Sequence, residues 1–153
     1  MNMKDERQFV GYSKYRSRLV DGHVHTELCP HGSGDRTALM IEKAIELRIE
    51  KVCLTEHAPL PKAFAAEYGG DQKAYDTASL KLNQVDSYLE LGRQLQRAYG
   101  THIDISLGFE VDYIPGFEAD IQEFLDRYGP LTDDNILSVH FMEGVNNAFY
   151  CLD

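Results

Sequence analysis

Short apolar runs of strand type alternate along this chain with longer stretches whose apolar positions recur at helical spacing. The first run, Arg18-Leu19-Val20, leads into Asp21-Gly22-His23. The second, Lys51-Val52-Cys53-Leu54-Thr55, is rich in β-formers and ends at Glu56-His57. The third, Ile103 to Phe109, ends at Glu110, and the fourth, Asn135 to Val139, ends at His140. Between them the spacing predicts helices. One starts near Asp35 and carries Ala38, Ile41, Ala44 and Ile45 on one face, with Ser33 or Asp35 as its N-cap. A longer one carries Leu82, Val85, Leu89, Leu95 and Tyr99 and stops at Gly100. A third runs from Glu118 to Tyr128, with Ile121, Phe124, Leu125 and Tyr128 on one side, and Gly129-Pro130 ends it. Pro59 and Pro61 interrupt regular structure after the second strand. Residues 58–77 then form a long connection of the kind that serves as a functional loop or lid. The dozen residues after His140 carry no readable pattern.

Strand and helix in alternation imply parallel pairing with right-handed crossovers. An α/β barrel and an open α/β sheet are the two candidates, and in both the sites form at the C-terminal ends of the strands. A complete barrel of this type runs to about 250 residues. This chain has 153, so the pattern stops partway.

Composition narrows the function. The net charge of −10 argues against non-specific binding to nucleic acid or to an anionic membrane. It leaves an anionic small substrate open, because bound metal ions reverse the sign of the field inside a site. No apolar run approaches the ~18 residues of a membrane span, and the charged N-terminus lacks a secretion signal's apolar core. A cytoplasmic location is the default expectation. Cys29, Cys53 and Cys151 form no CxxC pair and read as reduced thiols. Cys53 is expected in the core. Cys29 lies between two histidine-bearing segments, where it is either a site neighbour or a ligand.

The candidate chemistry sits where each strand ends: His23 and His25, then Glu56-His57, then Glu110, then His140. His31 reaches in from the first loop. Imidazole and carboxylate together suit Zn²⁺, Mn²⁺ or Fe²⁺, whereas carboxylates alone favour Mg²⁺ or Ca²⁺. His23-Val24-His25 puts two imidazoles on one side of an extended segment. A carboxylate such as Glu110 can bridge two ions. Ions ~3.5–4 Å apart bind a phosphate ester and lower the pKa of a bridging water. Each residue alone has a plain structural reading: an incidental HxH, a rim histidine at 57, a capping carboxylate at 110, a structural His140. Their joint placement is what argues for a site. His102 precedes the third strand, on the opposite rim, and reads as a surface histidine.

The strings DGHVHTELCPHGSGD (Asp21 to Asp35), TEHAPLP (Thr55 to Pro61), LGFEVDYIPGFE (Leu107 to Glu118) and SVHF (Ser138 to Phe141) resemble the PHP phosphoesterases, specifically their histidinol-phosphate phosphatase branch. The resemblance implies a distorted (β/α)7, TIM-like barrel, of which this chain covers about the first four strands. It makes residues 1–153 a single PHP domain, truncated at its C-terminal side. It implies divalent transition metals (Zn, Mn or Fe) in a trinuclear site: His23 and His25 on one ion, Glu110 bridging to a second held by His140, and His31 and His57 on the third. Glu110 and His140 stand as the catalytic pair. Asp21 and Glu56 orient imidazoles, and Lys62 and Lys73 are either phosphate contacts or solvated loop lysines. The implied reaction is hydrolysis of L-histidinol phosphate to L-histidinol and phosphate, in histidine biosynthesis, by metal-activated hydroxide. The alternatives are another PHP-type phosphoesterase and a truncated, non-catalytic metal-binding fragment. The family pattern continues with a further histidine and an Asp-x-His pair that do not follow His140. A half-barrel with an open edge, completed by self-association, is therefore a further expectation.

Overall fold

The computed structural model describes residues 19–144 and 148–151. Arg18, at the start of the predicted first strand, and the terminal Asp153 lie outside them. Four parallel strands form the main sheet: β1 (Val20–Val24), β2 (Lys51–His57), β3 (Asp104–Asp112) and β4 (Ile136–Ser138), in spatial order β1-β2-β3-β4. Helix α1 (Thr37–Glu46) joins β1 to β2, α3 (Val85–Tyr99) joins β2 to β3, and α4 (Glu118–Tyr128) joins β3 to β4. A doubly wound sheet reverses its strand order at a switch point. Here the order advances without reversal, as it does around a barrel wall.

The central strands β2 and β3 carry near-continuous buried runs, as parallel strands covered on both faces must. Val52, Leu54, Ile105, Leu107, Phe109 and Val111 pack against Ile41 and Ala44 of α1, and against Tyr88, Leu89 and Leu95 of α3. Full burial of each large apolar side chain stabilises the fold by about 1.5–3 kcal/mol. Phe124 and Tyr128 of α4 extend this core. The edge strands are barer: Leu19 and Val20 by β1, and Leu137 and Val139 by β4, are exposed.

Three local expectations need correction. First, α1 is capped neither by Ser33 nor by Asp35, which bond to each other. The Glu27 carboxylate takes the Thr37 N–H at 2.5 Å, and the Thr37 hydroxyl returns a bond from the Glu27 N–H. A capping partner ten residues upstream is a tertiary contact that local sequence rules do not see. Second, Leu82 is exposed in a 3-10 turn (Leu82–Gln84), so α3 begins at Val85. Third, β3 runs past Glu110 to Asp112.

Gly108 shows why the β3–β4 connection is so close. A Cβ there would lie 1.5 Å from the Asp134 carbonyl oxygen. The freed space lets the chain entering β4 bond to the β3 backbone. Leu107 N–H donates to the Asp133 carboxylate, and Phe109 N–H donates to Asn135 Oδ1.

Residues 58–80 are structured too, with a 3-10 turn (Lys62–Ala66) and α2 (Gln72–Thr77). The chain after His140 forms an antiparallel pair, β5 (Phe141–Glu143) with β6 (Phe149–Cys151). Phe64, Ile114, Phe117, Phe141 and Phe149 build a second core, flanked by Tyr68 and Tyr75. Two backbone bonds tie the loop to the hairpin: Gly69 N–H to Phe149 O, and Phe149 N–H to Glu67 O. Among the described residues no helix is long and apolar enough to cross a membrane.

Candidate metal centre

Register brings the site together. In the parallel ladder His57 lies beside Glu110, and one step further the Ala58 N–H donates to the Glu110 carbonyl. β4 pairs Ser138 with Asp112, which sets His140 just beyond the β3 end. β1 ends at Val24, so His25 leaves the sheet at the same rim.

Glu110 is the hub. Its buried carboxylate meets four imidazoles. His23 Nε2 lies at 2.9 Å, His57 Nδ1 at 3.3 Å and His25 Nε2 at 3.4 Å from Oε2. His140 Nε2 lies 3.4 Å from Oε1. His25 and His57 stack with ring centroids 4.4 Å apart, and His31 stands 5.0 Å from His57. The structure therefore gathers all six residues expected at the rim: His23, His25, His31, His57, Glu110 and His140.

A second layer fixes the rings. His25 Nδ1 lies 3.2 Å from Glu56 Oε1, His31 Nδ1 2.8 Å from the Thr77 carbonyl, and His140 Nδ1 2.8 Å from Asp112 Oδ1. A carbonyl can only accept, so His31 donates from Nδ1 and keeps its lone pair on Nε2. The same tautomer follows for His25 and His140 against their carboxylates. Outer partners of this kind are what orient metal-ligating histidines. Glu56 is held in turn by the Thr26 N–H and hydroxyl, at 2.9 and 2.7 Å, and by the His57 N–H.

These bonds create an electrostatic conflict that tests the fit of a cation. With their Nδ1 protons already used, the neutral forms of His25 and His140 would turn Nε2 lone pairs toward the Glu110 carboxylate. Lone pair facing anion is repulsive, and a cation between them relieves it. His57 adds an orphan: it is buried, and its Nδ1 has no hydrogen-bond partner. Its 3.3 Å approach to Glu110 is a charge contact without hydrogen-bond geometry. Buried polar atoms in native folds are rarely left unpaired, so these donors fit a divalent ion.

For His57 the titration behaviour agrees. Burial, and then the adjacent His25, push His57 down to about 4, leaving a neutral ring able to donate a lone pair. Burial lowers His25, but the hydrogen bond and charge of Glu56, with the charge of Glu110, outweigh it and the net shift is upward. Burial raises Asp112 despite the opposing pull of His140. Cys29 is pushed up by burial and by Glu56.

Three groups of potential ligand atoms, each within 4.8 Å of one another, emerge: His23–His25–Glu110, His57–Asp112–His140 and His25–Cys29–His57. Asp112 was missed by the sequence reading, which ended the strand at Glu110. The available signal was the two-residue period that pairs Glu110 with Asp112 as it pairs His23 with His25. Asp21 is exposed on the edge strand, and among the described residues no hydrogen bond joins it to an imidazole, so its expected orienting role is not seen. Lys62 lines a cavity of about 400 Å³ beside Ile121, Phe124 and Tyr128, which no histidine lines; Lys73 does not reach it.

Parallel barrel strands whose C-terminal rim carries imidazoles around a buried carboxylate define a TIM-like α/β protein with a site suited to divalent metal. The chain belongs to the PHP domain family, whose profile matches residues 21–151. It is 42% identical over 133 residues to the histidinol-phosphatase of Bacillus subtilis, covering 87% of this chain and 47% of that protein. Its structure is similar to that of HisK from Listeria monocytogenes, with a TM-score of 0.85 and 42% identity over 88% of this chain and 49% of that one. The histidinol phosphate phosphatase HisK of Lactococcus lactis, solved with zinc, L-histidinol and phosphate, shares the fold at a TM-score of 0.61 and 24% identity, over 82% of this chain and 41% of that one. The chain spans about half the length of these relatives.

Proposed function

We propose that this chain carries the metal-binding rim of a phosphomonoesterase that hydrolyses L-histidinol phosphate to L-histidinol and phosphate. The observation that carries the reading is the convergence of four imidazoles on the buried Glu110 carboxylate. The 42% identity to the Bacillus subtilis histidinol-phosphatase supports the substrate. In this reading residues 1–153 belong to one PHP domain, the protein is cytoplasmic, and self-association would cover the bare edges of β1 and β4.

Three divalent ions, zinc, manganese or iron, would be held by these residues: His23 and His25 would serve one, His140 another and His31 with His57 a third, with Glu110 as the anion between them. Divalent ions there supply Lewis acidity toward a phosphoryl oxygen and a water of lowered pKa. The chain's own residues do the positioning. Glu110 and His140 sit at the reacting centre, with Glu110 placing its two oxygens toward different imidazoles. Glu56, the Thr77 carbonyl and Asp112 hold the protons on Nδ1 of His25, His31 and His140, which keeps each Nε2 lone pair aimed inward. Loop 58–80, braced by the second core, borders the rim through the Thr77 carbonyl on His31 and the Leu80 N–H on the His57 carbonyl.

Purified protein would be assayed for metal content by elemental analysis and for phosphate release from L-histidinol phosphate, before and after chelation. Bound metal with chelator-sensitive release is expected. Release that persists in metal-free protein would refute the reading. Metal bound without turnover would favour the second reading, a metal-holding module whose catalytic partners lie in the portion of the relatives that this chain does not span.

A further inference from the structure

The cavity of about 400 Å³ between the loop and α4 has no task in the reading above. Its size falls in the range of small-molecule sites, about 300–1,000 Å³. Its lining comes from the loop, the end of β3 and α4, and none of it from the edge strands β1 and β4. The interior is apolar: Leu80 and Val111 are buried, and Ile121 and Phe124 are half-buried. Leu82 lines the same cavity and is 58% exposed, so the apolar surface continues out to the mouth. The lining also carries four exposed charges of both signs, Lys62 from the loop and Asp120, Glu123 and Arg127 from α4. The three on α4 are spaced by three and four residues, which puts them on one helix face. Among the described residues none of the four forms an ion pair, and the Arg127 guanidinium lies over the Tyr128 ring at 5.0 Å. The other two charges of the lining are already engaged: Lys81 donates to the Asp76 carbonyl, and Asp112 holds His140.

We infer that this cavity is a second binding site, separate from the metal centre, for a free α-amino acid with an apolar side chain. A plain anion entering it would face the Asp120 and Glu123 carboxylates, and a plain cation would face Lys62 and Arg127. A zwitterion satisfies both signs, its carboxylate taking charge-assisted bonds from the basic pair and its ammonium giving them to the acidic pair. The apolar side chain then displaces water from the floor of Leu80, Val111 and Phe124. Because Asp112 belongs to both sites, an occupant bears on the carboxylate that orients His140. The inference stands beside the metal-centre reading and does not depend on it.

The test is a calorimetric titration of the purified protein with L-leucine and with L-phenylalanine, as isolated and again after chelation. The probes 3-phenylpropionate and 2-phenylethylamine each keep the ring and one of the two charges. Saturable binding of the amino acids that survives chelation is expected, about tenfold or more tighter than either single-charge probe. Lys62→Glu and Glu123→Lys change exposed side chains, so both variants should fold, and each should weaken amino-acid binding by about tenfold or more. Equal binding of either single-charge probe would overturn the zwitterion assignment. Unchanged affinity in both variants, or binding that requires metal, would place the amino acid elsewhere and overturn the site. No saturable binding would overturn the inference altogether. Metal content of the isolated protein, measured in parallel, tests the metal-centre reading, so the failure of one is told apart from the failure of the other.

Discussion

Tyr88 offers the sharpest energetic test of how the rim is held. Its side chain is fully buried, and its hydroxyl reaches from α3 into the seam between β2 and β3. It is in donating range of the Gly108 carbonyl at 2.5 Å and the Leu54 carbonyl at 3.0 Å, and it accepts from the Glu56 N–H at 3.3 Å. Burial holds the phenol above its ordinary range, so it is a neutral donor at any working pH. With one proton it serves one carbonyl at a time, so Tyr88→Phe removes two net hydrogen bonds, one donated and one accepted. At about 0.5–1.5 kcal/mol each, the loss is roughly 1–3 kcal/mol. Removing a buried hydroxyl returns some desolvation energy. The Glu56 N–H and the carbonyls remain in the β2–β3 ladder, so no full orphaning penalty is added. The ring keeps its packing on Phe109, at 5.2 Å between centroids, so no large cavity adds to the loss. Urea denaturation should show an unchanged m-value. For m of about 1–3 kcal/mol/M, the midpoint should fall by roughly 1 M. An unshifted or raised midpoint would refute the view that this hydroxyl bolts the two strands together.

Four further outcomes are expected. Glu110→Gln should cost at least about tenfold in metal affinity, measured by competition with a chromophoric chelator, because the variant loses the one anion that faces four imidazoles. Asp112→Asn should weaken metal binding about 10–100-fold with little change in stability, and an unaltered affinity would deny it a part in orienting His140. Gly108→Ala should destabilise by about 3 kcal/mol or more, since its Cβ would meet backbone at 1.5 Å; a wild-type melting curve would contradict the close approach. His57 titrates at about 4 when folded, against about 6.5 unfolded. Below 6.5 the unfolded chain binds more protons, so stability should fall as pH drops from about 6.5 toward 4. His25 shifts the other way, and metal-free protein whose stability rises on acidification would show that His25 dominates.

The sequence was most legible where periodicity and register coincide. α4 has the predicted bounds, Glu118–Tyr128, because its apolar face repeats cleanly and Gly129-Pro130 closes it. His23, His25, His57 and His140 were readable because each stands at or just after the end of a β-rich run, with His31 in the loop that follows the first. What escaped depended on partners distant in sequence. The cap on α1 comes from Glu27, and the extension of β3 to Asp112 comes from pairing with β4. The hairpin after His140 has strands of three residues, too short for a period to show. Its stability comes from Phe141 and Phe149 packing on Phe64 of the loop.

That second core makes the centre sensitive to a motion short of unfolding. His57 precedes the loop and His140 precedes the hairpin, so two metal-ligating residue types from non-adjacent strands each lead into a segment that packs on the other. Undocking the hairpin would expose five aromatic and aliphatic side chains while leaving the main sheet's core intact. The free energy of that local opening sets a ceiling on how tightly the rim can hold its rings in register. Amide exchange at Gly69 and Phe149, whose bonds cross the seam, would read this opening directly. Bound metal should slow exchange at both amides together, because an occupied rim can open only by giving up its ion.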